Sequence, residues 1–241
     1  MSLPRLSIVV PIKDEEDNVV PLVEACRAGL GPLYPQCELI LVDDGSTDAS
    51  LARMQEIARQ DPVVRWISFE KNCSQSAALD AGFKAARADF VAMIDGDLQN
   101  DPGDLPKMLE IAESGECDCV CGIRQKRQDS WVRKISSKIG NGVRNWLTHE
   151  SIRDVGCSIR VMRREQLVRI KMFRGMHRFL PTLLRLEGAR IREIPVRHHP
   201  RTRGKAKYGV WNRLWAGLRD IFAVRWMQSR HVGYKIKSQS D

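Results

Sequence analysis

Apolar and polar positions alternate in blocks along the first half of the chain. The run Leu6–Ile12 (LSIVVPI) is uninterrupted and rich in β-branched residues, which predicts a strand buried on both faces. Acidic residues from Asp14 onward suit the first turn of a helix reaching about Leu30. Glu38–Val42 predicts a second buried strand, stopped by Asp43-Asp44-Gly45-Ser46, and Asp48 then caps a helix to about Arg59. Val63–Phe69 reads as a third strand, and Ser74 or Ser76 opens a helix to Ala86. Asp89–Ile94 is a fourth strand, stopped by Asp95-Gly96-Asp97. Pro102–Glu113 suits a helix and Asp118–Arg124 a fifth strand.

Strand–helix alternation repeated this often predicts an α/β fold with a mostly parallel sheet and right-handed crossovers. Ligands of such sheets bind beyond the carboxyl ends of the strands. The acidic residues fall there: Asp14 after the first strand, Asp43 and Asp44 after the second, Asp95 and Asp97 after the fourth. Arg124 joins them at the end of the fifth. No GxGxxG or Walker A motif is present, which excludes dinucleotide and P-loop folds by motif. Beyond Gly156 the pattern loosens into a strand at Ser158–Met162, a helix at His177–Glu187 and a strand at Arg190–Val196. A basic, Gly-containing loop follows from Pro200 to Tyr208.

Charge adds a division that hydropathy does not show. Of the 241 residues, 39 are Lys or Arg and 30 Asp or Glu, a net +9. Arg197–Asp241 holds eleven of the cations and two of the anions, so the excess lies wholly in the tail. A basic tail seeks an anionic partner. Within it Trp211, Leu214, Trp215, Leu218, Ile221, Phe222 and Trp226 recur at helical spacing, with Arg213, Asp220 and Arg230 off the stripe. Such a helix either lies in a membrane interface or packs on its own domain. Residues 131–146, with Trp131, Ile135, Ile139, Val143 and Trp146 among basic residues, allow the same two readings. No nucleic-acid motif accompanies the charge. The organisation expected is a catalytic domain over 1–209 and a basic amphipathic helix and tail over 210–241.

No run of apolar residues is long enough to span a bilayer, and the first residues lack a signal-peptide pattern. Seven scattered cysteines, an odd number, suit reduced thiols and a cytoplasmic setting. Cys117, Cys119 and Cys121 alternate as on one strand face, at a spacing unusual for zinc.

The candidate chemistry concentrates in a few residues. Asp95, Asp97 and Gln99 offer three oxygen donors on one turn, which suits Mg²⁺ or Mn²⁺ sharing phosphate oxygens. Together with Asp43 and Asp44 they point to a nucleoside diphosphate. Arg201, Arg203 and Lys207 can neutralise a diphosphate leaving group, and Arg124, Arg133 and Ser137 can hold a second phosphate.

Residues 8–19 (IVVPIKDEEDNV), 41–48 (LVDDGSTD) and 93–102 (MIDGDLQNDP), in this order, resemble glycosyltransferase family 2, with its GT-A nucleotide-binding fold. Residues 122–141 (GIRQKRQDSWVRKISSKIGN), 155–165 (VGCSIRVMRRE) and 193–209 (EIPVRHHPRTRGKAKYG) narrow the resemblance. They are similar to dolichol-phosphate mannosyltransferases and bacterial polyprenyl-phosphate glycosyltransferases. Three departures stand out: Ala206 in place of Ser, Ser158-Ile159 in place of Gly-Phe, and a DGD where mannosyltransferases carry DAD.

The resemblance implies that Pro11, Ile12, Asp14 and Asp44 hold the base and ribose, with Asp43 nearby. It implies that Asp95, Asp97 and Gln99 bind the metal, that Arg201 and Lys207 contact the donor diphosphate, and that Arg124, Arg133 and Ser137 hold a lipid phosphate. The activity implied is inverting transfer of mannose or glucose from a GDP- or UDP-sugar to polyprenyl or dolichyl phosphate at the cytoplasmic membrane face. Asp97, Arg124 and Arg133 would be the residues nearest the chemistry. A membrane partner subunit and a homo-oligomer both stay open. Two rivals remain: transfer to a glycan or protein hydroxyl with Asp154 as base, and a non-catalytic protein binding membrane or nucleic acid through its tail.

Overall fold

The computed structural model describes residues 3–125, 142, 145–148, 150–200, 210–232 and 238. The strands are β1 (Leu6–Ile12), β2 (Cys37–Asp43), β3 (Val64–Ser68), β4 (Phe90–Met93), β5 (Cys119–Arg124), β6 (Arg160–Arg163) and β7 (Ile191–Val196). The helices are α1 (Glu16–Leu30), α2 (Ser50–Gln60), α3 (Gln75–Ala85), α4 (Leu105–Glu113), α5 (Arg164–Leu167), α6 (Leu180–Leu186) and α7 (Val210–Arg230). The predicted elements are present with ends shifted by a few residues. The Pro102 and His177 helices each begin as a 3₁₀ turn, at Pro102–Asp104 and Met176–Phe179.

All seven strands form one sheet in the order β3-β2-β1-β4-β6-β5-β7. β6 runs antiparallel to both its neighbours and every other pairing is parallel. The carboxyl ends of β1, β2, β4, β5 and β7 therefore share one rim, and the chain entering β6 starts from that rim.

Side-chain alternation divides the core between the two faces of the sheet. Ile8, Val10, Leu39, Leu41, Ala92 and Val120 pack with α1 and α4 on one face. Val9, Ile40, Val42, Val91, Met93, Cys119 and Cys121 pack with α3, α6 and α7 on the other. Each fully buried Leu, Ile or Val there contributes about 1.5–3 kcal/mol. Cys117 precedes β5 and packs on the α1–α4 face, so the three alternating cysteines do not share a side. All seven thiols are free.

Hydrogen bonds from short polar side chains fix the loops at the rim. Asp48 accepts from the backbone N–H of Glu16 (3.1 Å) and of Ser50 (2.9 Å), so one carboxylate caps the starts of both α1 and α2. Ser50 Oγ accepts from Glu15 N–H at 2.9 Å, and Glu16 Oε2 from Ala49 N–H at 3.0 Å. The loops after β1 and β2 are thereby stitched to each other.

The tail stripe divides in a way its periodicity could not show. Ile221 is buried against the domain, as is Val224 off the stripe, whereas Phe222 and Trp226 are 64% and 65% exposed. Among the described residues no helix is long and apolar enough to cross a membrane. Most of the predicted 131–146 helix lies outside the described residues, and 145–148 are helical.

Candidate active site

The carboxylates expected at the strand ends do converge on one rim. β4 ends in the turn carrying Asp95 and Asp97. Gly96 between them lies on β1: a Cβ there would come 2.8 Å from Ile12 Cδ1 and 3.3 Å from the Pro11 carbonyl. The glycine of the DGD motif lets the turn sit this low.

The turn is held from three sides. Gln75 Nε2, at the start of α3, donates to Asp95 Oδ1 at 2.9 Å. Asn100 Oδ1 accepts from Asp95 N–H at 3.1 Å and from Ser158 Oγ at 2.7 Å, which ties the turn to the segment entering β6. Asp97 Oδ1 accepts from Gln99 N–H at 3.2 Å. His199 N–H donates to the Gln99 carbonyl at 2.9 Å, and Gln99 Nε2 donates to the His199 carbonyl at 3.4 Å. His199 Nε2 also pairs with Asp101 Oδ2 at 3.2 Å. The segment leaving β7 is thus fastened to the acidic turn immediately before the basic loop begins.

Burial pushes the Asp95 carboxyl upward, and the neighbouring Asp97 charge pushes it the same way. The nearby Ser158 hydroxyl, the positive charge of Arg160 and the hydrogen bond from Gln75 oppose this. Two carboxylates forced together on a rigid turn fit a divalent cation, which would relieve their repulsion. Among the described residues no group of three or more His, Cys, Asp or Glu could hold a metal, so protein would supply only part of the shell. Mg²⁺ commonly takes one or two carboxylates and fills its octahedron with water and phosphate oxygens.

The residues expected at the nucleotide divide into two groups. Asp43 is 1% exposed, with Oδ1 accepting from Ser46 N–H (2.9 Å) and Oδ2 from Ser68 Oγ (2.8 Å). Asp44 is 3% exposed and accepts from the N–H groups of Cys73 (2.6 Å) and Ser74 (3.0 Å) and from Asn72 Nδ2 (3.1 Å). It holds Ser74 at φ +100°, a backbone region that favours glycine. Ile12 is fully buried, while Pro11 and Asp14 reach the surface in part. Asp14 Oδ1 accepts from Thr47 N–H at 2.8 Å and lies 3.4 Å from Lys13 Nζ.

Arg124 reaches the rim, where Asp154 holds it in a two-pronged ion pair. Nε donates to Asp154 Oδ2 at 2.8 Å and Nη2 to Oδ1 at 2.7 Å. Arg133, Ser137, Arg201, Arg203 and Lys207 lie outside the described residues.

Several residues at the site carry no sequence signal of their own. Gln75 reads only as a helix start, although a helix beginning at this rim aims its first side chains toward the ligand space. Arg160 is 2% exposed. It donates to the carbonyls of His177 (3.0 Å) and Val155 (3.2 Å) and has no ion-pair partner within reach among the described residues. Ser76 Oγ accepts from Gly175 N–H (3.0 Å) and meets His177 Nδ1 at 2.8 Å. This joins the start of α3 to the turn before α6.

An α/β sheet of this order with an acidic turn after β4 fits a GT-A-type fold, and the comparisons agree. The chain belongs to glycosyl transferase family 2, which residues 7–170 match. It is 39% identical over 224 residues to the dodecaprenyl-phosphate galacturonate synthase of Rhizobium johnstonii, covering 91% of this chain and 66% of that protein. It is 37% identical over 205 residues to the undecaprenyl-phosphate 4-deoxy-4-formamido-L-arabinose transferase of Proteus mirabilis, covering 85% and 63%. The chain thus spans just under two thirds of the length of these relatives. Its fold is similar to a Pyrobaculum calidifontis mannosyltransferase in complex with GDP-Man and Mn²⁺. There the TM-score is 0.67 at 16% identity, over 97% of this chain and 66% of that one. It is equally similar to Mycobacterium tuberculosis glucosyl-3-phosphoglycerate synthase in complex with Mn²⁺, UDP-glucose and phosphoglyceric acid. That match has a TM-score of 0.67 at 21% identity, over 95% and 81%.

Proposed function

We propose that this chain transfers a sugar from a nucleoside-diphosphate sugar to a polyprenyl phosphate, with inversion, at the surface of a membrane. The acidic turn at the end of β4 carries the reading, supported by the lipid-phosphate acceptors named for the relatives. Asp95 and Asp97, with Gln99 beside them, would hold Mg²⁺ or Mn²⁺. The bound cation would stabilise negative charge on the departing diphosphate. Pro11 and Asp14 would meet the nucleotide, with Asp43 and Asp44 shaping the loops beneath it. Arg201, Arg203 and Lys207 would neutralise the diphosphate.

The acceptor needs no strong base. A phosphate monoester has its second pKa near 6, so its oxygen is already anionic near neutral pH. That oxygen attacks the anomeric carbon opposite the leaving group, forming the new glycosyl–oxygen bond as the bond to the nucleoside diphosphate breaks. Arg133 and Ser137, with Arg124, would orient the nucleophile and offset repulsion between the two phosphates. Asp154 is committed to Arg124 in a bidentate pair, which argues against its serving as the base that a hydroxyl acceptor requires.

The test is transfer of label from a panel of radiolabelled GDP- and UDP-sugars into undecaprenyl or dolichyl phosphate, with Mg²⁺, Mn²⁺ or chelator. One donor should carry label into the organic phase in a metal-dependent way, and Asp97→Ala should abolish it. Full activity of Asp97→Ala, or of chelator-treated enzyme, would remove the metal assignment. Metal-dependent nucleotide binding without transfer would move the acceptor to another class.

A further inference from the structure

Between the end of α5, α6 and the last turns of α7 lies a cavity of about 590 Å³. Ile170, Leu183, Leu186, Trp226 and Met227 give it an apolar lining. Lys171, Arg230 and His231 stand at it with Arg169, whose Nη2 is taken by Glu165 at 2.5 Å; Glu187 is the acidic residue of the lining. The wall formed by α7 is docked. Ile221 and Val224 are buried, and Gln228 Nε2 donates to the Thr148 carbonyl at 2.7 Å. Asp220 lies so close to Gly175 that a Cβ there would meet its carboxylate at 2.4 Å.

The surface around this cavity is unusual for the molecule. Nine large hydrophobic residues are exposed among the described residues, and five of them (Val168, Phe173, Phe222, Trp226 and Val232) come from the segments that form or flank it. Arg219, Arg225 and Arg230 are exposed on the same helix as Phe222 and Trp226. Tryptophan beside arginine over an apolar floor suits the boundary between acyl chains and headgroups. The cationic groups fit a phosphate at the mouth, and the floor fits hydrocarbon.

We propose that this groove binds an anionic phospholipid of the bilayer, with an acyl chain against Leu183, Leu186, Trp226 and Met227 and the phosphate between Lys171 and Arg230. The lipid is distinct from the sugar acceptor, and the inference deepens the membrane-surface reading proposed above. It predicts selectivity for anionic over zwitterionic membranes that resides in two named side chains and not in the net charge of the tail.

The experiment is flotation of the full chain with phosphatidylcholine vesicles, with or without phosphatidylglycerol. Each cation near an anionic surface contributes about 5-fold in partition, so Lys171→Gln with Arg230→Gln should weaken binding to anionic vesicles about 25-fold. Binding to phosphatidylcholine alone should be unchanged. Trp226→Ala should weaken binding to both on the order of 10-fold. A control pair on exposed helix positions elsewhere, Arg59→Gln with Lys84→Gln, should bind as the parent does. Equal loss in the control pair, or none in the groove pair, would overturn the proposal. Displacement by inorganic phosphate would also overturn it, marking a free-anion site. Sugar transfer to a short-chain, detergent-soluble acceptor should be unaffected by the groove pair. A parent that transfers sugar but ignores anionic vesicles refutes the groove and leaves the catalytic reading standing. Selective vesicle binding without transfer does the reverse.

Discussion

His177 joins the turn before α6 to the start of α3, and its environment makes that joint sensitive to acid. Ser76 Oγ accepts from Gly175 N–H and lies 2.8 Å from His177 Nδ1, a contact that the neutral imidazole satisfies in either tautomer. Burial, then the positive charges of Arg178 and Arg160, push the imidazole from 6.5 down to about 3. Unfolding releases it to its ordinary value, so the unfolded chain binds a proton that the native state refuses. The contribution to stability is therefore complete above pH 6.5 and lost as pH falls from there toward 3. The slope approaches about 1.4 kcal/mol per pH unit, or about 2–3 kcal/mol between pH 7.5 and 4.5.

The measurement is urea unfolding of the parent and of His177→Gln across that range. Glutamine keeps a polar partner for Ser76 and removes the titration. Carboxylates such as Asp118, held below its ordinary range by hydrogen bonds from Arg190, titrate in both proteins and cancel in the difference. The parent should lose stability more steeply by the equivalent of one proton. Parallel curves, or an imidazole titrating near 6.5 by NMR, would refute the reasoning.

Two further substitutions test the rim. Ser74→Gly should raise stability by about 1 kcal/mol, because relief of the positive φ exceeds glycine's entropic cost and Ser74 makes no side-chain cap to α3; a fall in the denaturation midpoint would show that the serine is not strained. Asp154→Ala should cost about 2 kcal/mol, because it removes the bidentate carboxylate from a partly buried Arg124. A loss below about 1 kcal/mol would mean that other groups neutralise the guanidinium.

The first half of the chain was legible because each buried strand is an unbroken apolar run ended by acidic turn residues. Leu6–Ile12 matches β1 residue for residue, and Asp14, Asp44 and Asp95 fall where a parallel sheet puts its ligand. The direction of β6 was not legible, since RVMR reads the same in either sense. Nor was the fate of Asp43 and Asp44. A carboxylate in a DDGS turn suits a ligand and a loop equally, and only the fold shows that Asp43 accepts from Ser46 N–H and Ser68 Oγ, and Asp44 from Cys73 and Ser74 N–H. Gln75 and Arg160 went unread because a single amide or a single arginine carries no periodicity. Their roles come from partners that no local pattern announces: Asp95, twenty residues on, for one, and the carbonyls of Val155 and His177 for the other.

The reversal at β6 bears on how such enzymes diversify. β5 runs up to the rim and β6 departs from it, so residues 125–159 leave and rejoin the sheet on the same side. A parallel neighbour would have required that stretch to cross the sheet and return from the far edge. Here the excursion, with Arg133 and Ser137 in it, is a cassette anchored at Arg124 and at Ser158. Ile152, Asp154, Cys157 and Ile159 at its returning end are buried, which fixes that end to the sheet. Under the function proposed above, exchanging this stretch between relatives would alter the acceptor while the donor side, built from β1, β2 and β4, stays untouched.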